Sequence, residues 1–244
     1  MVDMSILKTV KQLLKAKTHF IVEGVNFISQ IPKFHEVFAI LIDETKKDEL
    51  PLYAGEGFNV IFLSNSNFKK ISQTVNSQGV LAVCKRPALT RKEGDFYLVL
   101  DQIKDPGNMG SIIRTAESAG VCSVFLSKDC VDIYNPKVLR STMGAIFTMP
   151  IFYLDILEEV ITLKNEGFKI VATSLKTEKM YYEEELNNKI VVIIGSEANG
   201  VSEEILKEST SLVKIPMIGF SESLNASVAC GILLYDVIRQ RNKK

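Results

Sequence analysis

Hydrophobic positions in the second part of the chain alternate between strand and helix patterns. Short apolar runs predict buried strands at Phe96–Leu100, Ser123–Leu126, Lys169–Thr173, Ile190–Ile194 and Ser211–Ile215. Segments between and after them predict helices at Ser111–Ala119, Asn135–Ser141, Ile156–Glu166, Ser202–Lys207 and Asn225–Arg241. Such alternation is typical of a parallel sheet with helices on both of its faces.

The first part of the chain also mixes the two patterns. Residues 5–14 place their apolar side chains on one face of a predicted helix. The apolar runs 37–42 and 59–63 are typical of buried strands. Polar, helix-compatible stretches separate these runs, so the pattern predicts a small α/β domain.

A polar segment between the two parts marks a domain boundary. Residues 85–94 are mostly charged or small and include a proline and a glycine, which is typical of a linker. We therefore predict one domain over residues 1–90 and a second over residues 91–244.

Charge changes this picture only slightly. The net charge is zero, but residues 1–94 hold 13 Lys and Arg against 9 Asp and Glu, whereas residues 95–244 hold 16 against 20. If either domain binds a polyanion, this small asymmetry favours the first.

Composition excludes several classes of protein. No run approaches the length of a membrane span, and the first residues lack the basic region, apolar stretch and cleavage site of a secretory signal. The four cysteines form no CxxC pair, and only two histidines are present, so we expect no metal site. Scattered thiols without a signal predict a cytoplasmic protein.

The loop after the first predicted strand of the second domain carries the first candidate chemistry. Asn108 stands where it could cap the following helix, and Arg114 lies on that helix beyond two glycines that leave backbone N–H groups accessible. A helix N-terminus beside an arginine is a good anion site. The alternative is a capped helix with a solvent-exposed arginine.

Two further loops follow predicted strands in the same way. Gly195-Ser196-Glu197 continues a buried strand, and a carboxylate fixed there can hold a hydroxyl, an amine or a cation. Ser223 and Asn225 stand where the last helix begins. Each loop could simply cap its helix. However, all three follow strands of one parallel sheet, so they are expected to converge at its carboxyl edge.

Together the three loops resemble the SpoU, or TrmH, family of RNA ribose 2′-O-methyltransferases. The matching motifs are residues 108–116 (Asn-Met-Gly-Ser-Ile-Ile-Arg-Thr-Ala), 194–200 (Ile-Gly-Ser-Glu-Ala-Asn-Gly), 215–217 (Ile-Pro-Met) and 223–229 (Ser-Leu-Asn-Ala-Ser-Val-Ala). The first domain resembles the family's substrate-binding domain at residues 20–24 and 78–82.

This resemblance implies an α/β fold of two domains. A C-terminal, trefoil-knotted, parallel-sheet methyltransferase domain would follow a small α/β, ribosomal-protein-L30e-like substrate-binding domain. The hydrophobic pattern alone would predict an ordinary doubly wound sheet, because knots are nearly absent among folds in general. The resemblance also implies S-adenosylmethionine as cofactor, rRNA or tRNA as substrate, and a homodimer.

Site residues follow from the resemblance, position by position. The expected cofactor-binding residues are Thr173, Gly195, Ile215, Met217 and Leu224. The expected catalytic residues are Arg114, Asn108, Glu197, Ser223 and Asn225. A guanidinium keeps its proton at physiological pH, so we expect Arg114 to hold the RNA phosphate and the developing oxyanion. Proton removal by Arg114 itself or by the phosphate stays open.

Three alternatives compete with this prediction. A base methyltransferase of the same superfamily would share the fold but is disfavoured by Arg114 and the Ser223-Leu224-Asn225 pattern. A non-catalytic RNA-binding or assembly protein would keep the fold without the reaction. A dinucleotide enzyme would need a glycine fingerprint, and Gly195 and Gly200 stand five residues apart without a third glycine.

Overall fold

The computed structural model describes residues 2–48 and 57–242. The chain divides into two compact units, Met1–Ala88 and Leu89–Lys244. The boundary in the sequence between the two units, after Ala88, lies within the polar segment 85–94.

The first unit is built on a mixed four-stranded sheet. Its strands are β1 (His19–Glu23), β2 (Val37–Asp43), β3 (Val60–Leu63) and β4 (Val80–Lys85). Its helices are α1 (Val2–Lys15), α2 (Val25–Ile28) and α3 (Asn65–Phe68). The strand order is β1-β4-β2-β3, with β4 antiparallel to both neighbours and β2 parallel to β3. The predicted first helix and the two predicted strands, β2 and β3, are confirmed.

Helices α1 and α3 cover one face of this sheet. Leu7 and Val10 of α1 are buried against Ile21, Leu41 and other apolar residues of the strands. The helical spacing of these apolar residues therefore explains why α1 docks with one face and leaves its polar face exposed.

The second unit contains a six-stranded sheet in which every strand pair is parallel. Its strands are β5 (Phe96–Asp101), β6 (Ser123–Leu126), β7 (Ile151–Tyr153), β8 (Lys169–Thr173), β9 (Ile190–Gly195) and β10 (Ser211–Val213). Its helices are α4 (Pro106–Ser118), α5 (Pro136–Thr142), α6 (Ile156–Asn165), α7 (Glu203–Glu208) and α8 (Ala226–Arg241). The strand order is β10-β8-β9-β5-β6-β7.

Helices cover both faces of this sheet, as the alternating pattern predicted. The side chains of α6 and α7 pack with Tyr97, Phe125 and Val191, which point to one face. Alternate strand residues such as Leu98 and Val192 are equally buried and point to the other face. Helix α8 contacts β9 and α4 there.

The predicted elements of this unit are all present, with one error of position. Helix α4 begins at Pro106 and not at Ser111. Asp105 is its N-cap, and one Asp105 carboxylate oxygen accepts a hydrogen bond from the Asn108 backbone N–H at 2.8 Å. The prediction that Asn108 caps the helix is therefore wrong, because Asp105 followed by proline is the stronger helix start.

Strand β7 was not predicted from the sequence. It is a three-residue strand at the edge of the sheet, and its side chains are half-buried or exposed. So short a run carries too little apolar periodicity to be distinguished from a loop.

A buried carboxylate joins several segments beside β8 and β10. The Glu184 side chain is ion-paired with Lys169 and Lys179, each at 2.6 Å, and also accepts a hydrogen bond from the Ser211 hydroxyl. Burial raises the pKa of the Glu184 carboxyl, but the hydrogen bonds from Lys169, Lys179 and Ser211 outweigh it and lower the pKa to about 2.

Replacing Glu184 with glutamine is expected to lower the free energy of unfolding by about 2 kcal/mol near neutral pH. The folded-state pKa of about 2 lies below the ordinary value of 4.5, so this stabilisation is complete above 4.5 and is lost as the pH falls towards 2. Urea denaturation from neutral to acidic pH checks this. Glu185→Gln, at the exposed neighbouring position, is the matched control. A deficit in Glu184→Gln that stays constant with pH would contradict the assignment.

Candidate active site

A cavity of about 290 Å³ opens at the carboxyl ends of β8, β9 and β10. Thr173 is the last residue of β8, Gly195 is the last of β9, and Ile215 follows β10. The cavity walls include all five residues that the sequence suggested for cofactor binding, namely Thr173, Gly195, Ile215, Met217 and Leu224. The edge of the sheet where ligands were expected is therefore the edge where the cavity lies.

The loop after β9 folds back tightly on itself at the cavity wall. The Gly200 N–H donates a hydrogen bond to the Ser196 carbonyl at 2.8 Å, and Gly200 adopts a φ of +68°. A Cβ on Gly195 would lie 2.0 Å from the Gly200 carbonyl carbon. The wall can therefore form in this shape only with glycine at position 195.

Three polar side chains, from the first turn of α4, the loop after β9 and the N-cap of α8, form one hydrogen-bonded chain. The Asn225 Nδ2 group donates to Asn108 Oδ1 at 2.8 Å. Asn108 Nδ2 in turn donates to the Glu197 carboxylate. Loops that are far apart in the sequence thus meet at one point, as their positions after parallel strands predicted.

Asn225 uses both ends of its amide. Its Oδ1 atom accepts hydrogen bonds from the Ser227 N–H at 3.0 Å and the Ser227 hydroxyl at 2.6 Å, and it caps α8. Its Nδ2 group is the one that binds Asn108. The simple alternative for this residue, helix capping, is thus correct but incomplete.

Arg114 lies on α4 beyond this hydrogen-bonded chain. Its side chain is exposed and makes no hydrogen bond or ion pair with any residue that the structure describes. Arg114, Asn108 and Asn225 are not among the cavity-lining residues, whereas Glu197 and Ser223 are. Of the predicted catalytic residues, Glu197 and Ser223 thus belong to the cavity wall, and Asn108 and Asn225 lie outside it. The Arg114 guanidinium is available to a ligand.

Three residues that contribute to the site were missed from the sequence. Lys176, after β8, and Glu203, the first residue of α7, both line the cavity and form an ion pair at 2.6 Å. The buried Asp101, at the end of β5, accepts a hydrogen bond from the Ser202 N–H at 2.8 Å and so anchors the loop after β9. Position at the end of a strand, or a few residues after it, was the available signal for Asp101 and Lys176.

Neither a metal site nor a membrane-spanning helix is present among the described residues, 2–48 and 57–242. They contain no group of three or more His, Cys, Asp or Glu side chains arranged to hold a metal ion. None of their helices is both long and apolar enough to cross a membrane.

The fold and the cavity define the class of protein. A largely apolar cavity with a few polar groups, at the carboxyl edge of a parallel sheet, is typical of an enzyme that binds a nucleotide-like cofactor. Residues 95–235 match the model of the SpoU rRNA Methylase family, and residues 21–90 match a model described as RNA 2′-O ribose methyltransferase substrate binding. The chain belongs to the SpoU rRNA methylase family.

Individual relatives agree with this assignment. The 23S rRNA (guanosine(2553)-2′-O)-methyltransferase RlmP of Bacillus subtilis (strain 168) is 32% identical over 235 residues, which cover 96% of this chain and 93% of the relative. The 23S rRNA (guanosine-2′-O-)-methyltransferase RlmB of Coxiella burnetii is 34% identical over 197 residues, which cover 76% of this chain and 78% of the relative.

Two solved structures that are similar to this chain contain the cofactor AdoMet. The SpoU methyltransferase AviRb from Streptomyces viridochromogenes, in complex with AdoMet, superposes with a TM-score of 0.81 at 27% identity, covering 95% of this chain and 93% of that one. An AdoMet-bound rRNA methyltransferase from Sinorhizobium meliloti gives 0.78 at 26% identity, covering 96% and 94%. The chain is an AdoMet-dependent RNA methyltransferase, and the predicted family, fold class and cofactor are confirmed.

Proposed function

We propose that this enzyme transfers a methyl group from S-adenosylmethionine to the ribose 2′-hydroxyl of a guanosine in 23S rRNA. The observation that carries the proposal is the alignment with RlmP, which spans almost the whole of both chains. The named reaction of RlmB, also on a guanosine ribose of 23S rRNA, supports the same substrate.

The cofactor is held by the cavity. Backbone groups at Gly195 and Ile215, with the side chains of Thr173, Met217 and Leu224, form a largely apolar wall that suits an adenosine. Of the two carboxylates in the same wall, Glu203 is ion-paired with Lys176, whereas Glu197 forms no ion pair with any described residue and suits a cationic ligand. When bound, S-adenosylmethionine supplies the methyl group and a good leaving group in its sulfonium.

The remaining task of the protein is to make the 2′-hydroxyl an effective nucleophile. Arg114 holds the RNA phosphate and stabilises the oxyanion that develops on the ribose, because a planar guanidinium binds such oxygens with two N–H groups. Its free side chain supports this role. Asn108, Glu197 and Asn225 position the ribose beside the cavity, and Ser223 lies on the same loop as Asn225.

Replacing Glu197 with alanine is expected to lower kcat of methyl transfer by about 10- to 100-fold, because Asn108 loses the acceptor that fixes its amide. Glu197→Gln keeps an oxygen at this position and should recover much of the rate. Steady-state kinetics of the two variants check this. Equal losses in both would contradict a positioning role that depends on the oxygen.

The predicted homodimer is part of the proposal. Ile218 and Phe220, on the loop between β10 and α8, expose essentially their whole side chains, at 98% and 109%. Val228, at the start of α8, is also exposed. Exposed apolar side chains on the segment that borders the cavity favour a partner subunit that covers them. The trefoil knot implied by the family stays a prediction.

The two domains divide the work in this proposal. Residues 1–90 bind the RNA, which agrees with the substrate-binding family model over residues 21–90, and residues 91–244 bind the cofactor and carry out the reaction. An enzyme acting on ribosomal RNA would meet its substrate in the cytoplasm, which is the location we propose.

Methyl transfer from labelled S-adenosylmethionine to unmodified 23S rRNA tests the proposal, followed by nucleoside analysis and mapping of the product. The expected product is 2′-O-methylguanosine at a single site. A base-methylated nucleoside would favour the alternative of a base methyltransferase. Labelling of tRNA instead of rRNA would overturn the proposed substrate but retain the chemistry.

A further inference from the structure

A lysine-lined groove runs along α1 in the first unit, remote in sequence from the motifs of the active site. Lys8, Lys11 and Lys15 of α1 line it, and Lys70, just after α3, lines it as well. The three lysines of α1 recur at helical spacing, so they lie on one face of the helix over about 10 Å of its length. In the sequence, α1 lies before residues 21–90, the segment that the substrate-binding family model covers.

The lysines of this groove lack an acidic partner among the described residues. Lys8, Lys11 and Lys15 are exposed and form no ion pair with any described residue. Of the described side chains that line the groove, none is acidic. By contrast, Lys85 on β4 is ion-paired with Glu36 at 2.7 Å.

Lysine stems and apolar side chains form most of the groove surface. Leu7, which also packs into the core, and Met4 line it between the charged groups. Apolar walls raise the effect of the four ammonium groups, because they keep the local dielectric low and focus the positive potential. Ammonium groups act as point charges and suit phosphates without reading base sequence.

We infer that this groove binds the phosphodiester backbone of the RNA substrate, with Lys8, Lys11, Lys15 and Lys70 contacting successive phosphates. The inference rests on the proposed function, because it takes RNA as the polyanion. It adds a contact region in α1, outside the segment that defines the family's substrate-binding domain. It also identifies these contacts as independent of RNA sequence.

The test compares two double variants of the full-length enzyme in binding to a 23S rRNA transcript over a salt series. Lys11→Gln/Lys70→Gln removes one charge from α1 and one from the segment after α3. Lys92→Gln/Lys207→Gln makes the same charge change at exposed positions of the second unit that line neither the groove nor the cavity, and is the control. Each lost phosphate contact flattens the log–log salt dependence by about 0.7, so the groove variant should lose about 1.4 and bind RNA roughly 10-fold more weakly.

Methyl transfer separates this inference from the proposed function. The groove variant should show a raised KM for RNA and the same Kd for S-adenosylmethionine as the wild type. If the wild type methylates 23S rRNA but the groove variant and the control have equal salt slopes, the groove inference is overturned and the proposed function stands. Failure of the wild type to methylate any RNA would overturn the proposed function itself.

A second probe tests the other anionic surface that could occupy the groove. The wild type and the groove variant are mixed with vesicles of phosphatidylglycerol and phosphatidylcholine. Binding of the wild type alone to vesicles, with unchanged RNA affinity in both proteins, would assign the groove to a membrane surface and overturn the inference.

Discussion

Arg114→Ala is expected to reduce kcat of methyl transfer by about 10²- to 10³-fold while the Kd for S-adenosylmethionine stays within a few-fold. The rate falls because the guanidinium is proposed to stabilise charge that develops only in the transition state. Cofactor affinity persists because Arg114 does not line the cavity. Single-turnover kinetics and calorimetry measure the two quantities separately.

Two further variants sharpen this prediction. Arg114→Lys should fail nearly as badly as alanine, since one ammonium cannot reproduce the paired N–H groups of the fork. Glu117→Ala removes another exposed charged side chain from the same helix and should leave the rate close to that of the wild type. Loss of cofactor binding in a folded Arg114→Ala enzyme would show that the proposed role is wrong.

Gly195→Ala is expected to weaken S-adenosylmethionine binding by about 10- to 100-fold, because the new methyl group forces the cavity wall to move. The methyl carbon would lie 2.0 Å from the Gly200 carbonyl carbon and 2.2 Å from the Val201 backbone nitrogen, and neither backbone atom can turn aside as a side chain would. Calorimetric titration with the cofactor measures the loss.

Gly219→Ala is the matched control for this change. Gly219 lies on another loop near the cavity, and a Cβ there would meet nothing within 4 Å. It should therefore bind the cofactor as the wild type does. Thermal unfolding of both variants shows whether Gly195→Ala also destabilises the fold. Full cofactor affinity in Gly195→Ala would mean that the loop after β9 can open without cost to binding.

Most strands of the second unit were predictable because their sequences are almost entirely apolar. Ile190–Gly195 is buried throughout and has no polar side chain, and Phe96–Asp101 is buried throughout and apolar as far as Leu100. Each therefore contains a continuous apolar run, which is typical of a central parallel strand. The edge strand Ile151–Tyr153 has no such run and was missed. Burial in the centre of the sheet, and exposure at its edge, account for the difference.

The sequence was enough to predict which residues form the candidate site, but not how their side chains contact each other. Position after a strand was enough to nominate Asn108 and Glu197, yet not to show that they bind each other. The identity of the helix cap determines what Asn108 can bind, because a capping side chain is directed at its own helix. With Asp105 as the cap, the Asn108 amide is free to bind Glu197 and Asn225. The Lys176–Glu203 ion pair joins two loops whose proximity no local pattern encodes.

The double use of Asn225 makes this position sensitive to chemical ageing of the protein. Asparagine is among the residues that degrade chemically with heat, and deamidation would convert Asn225 to aspartate. Aspartate would still cap α8, so the helix and the measured stability would persist. It would have no N–H to donate to Asn108, so the link between the two loops would be lost. An aged preparation could therefore be fully folded and yet inactive. Assays of folding would not detect this change.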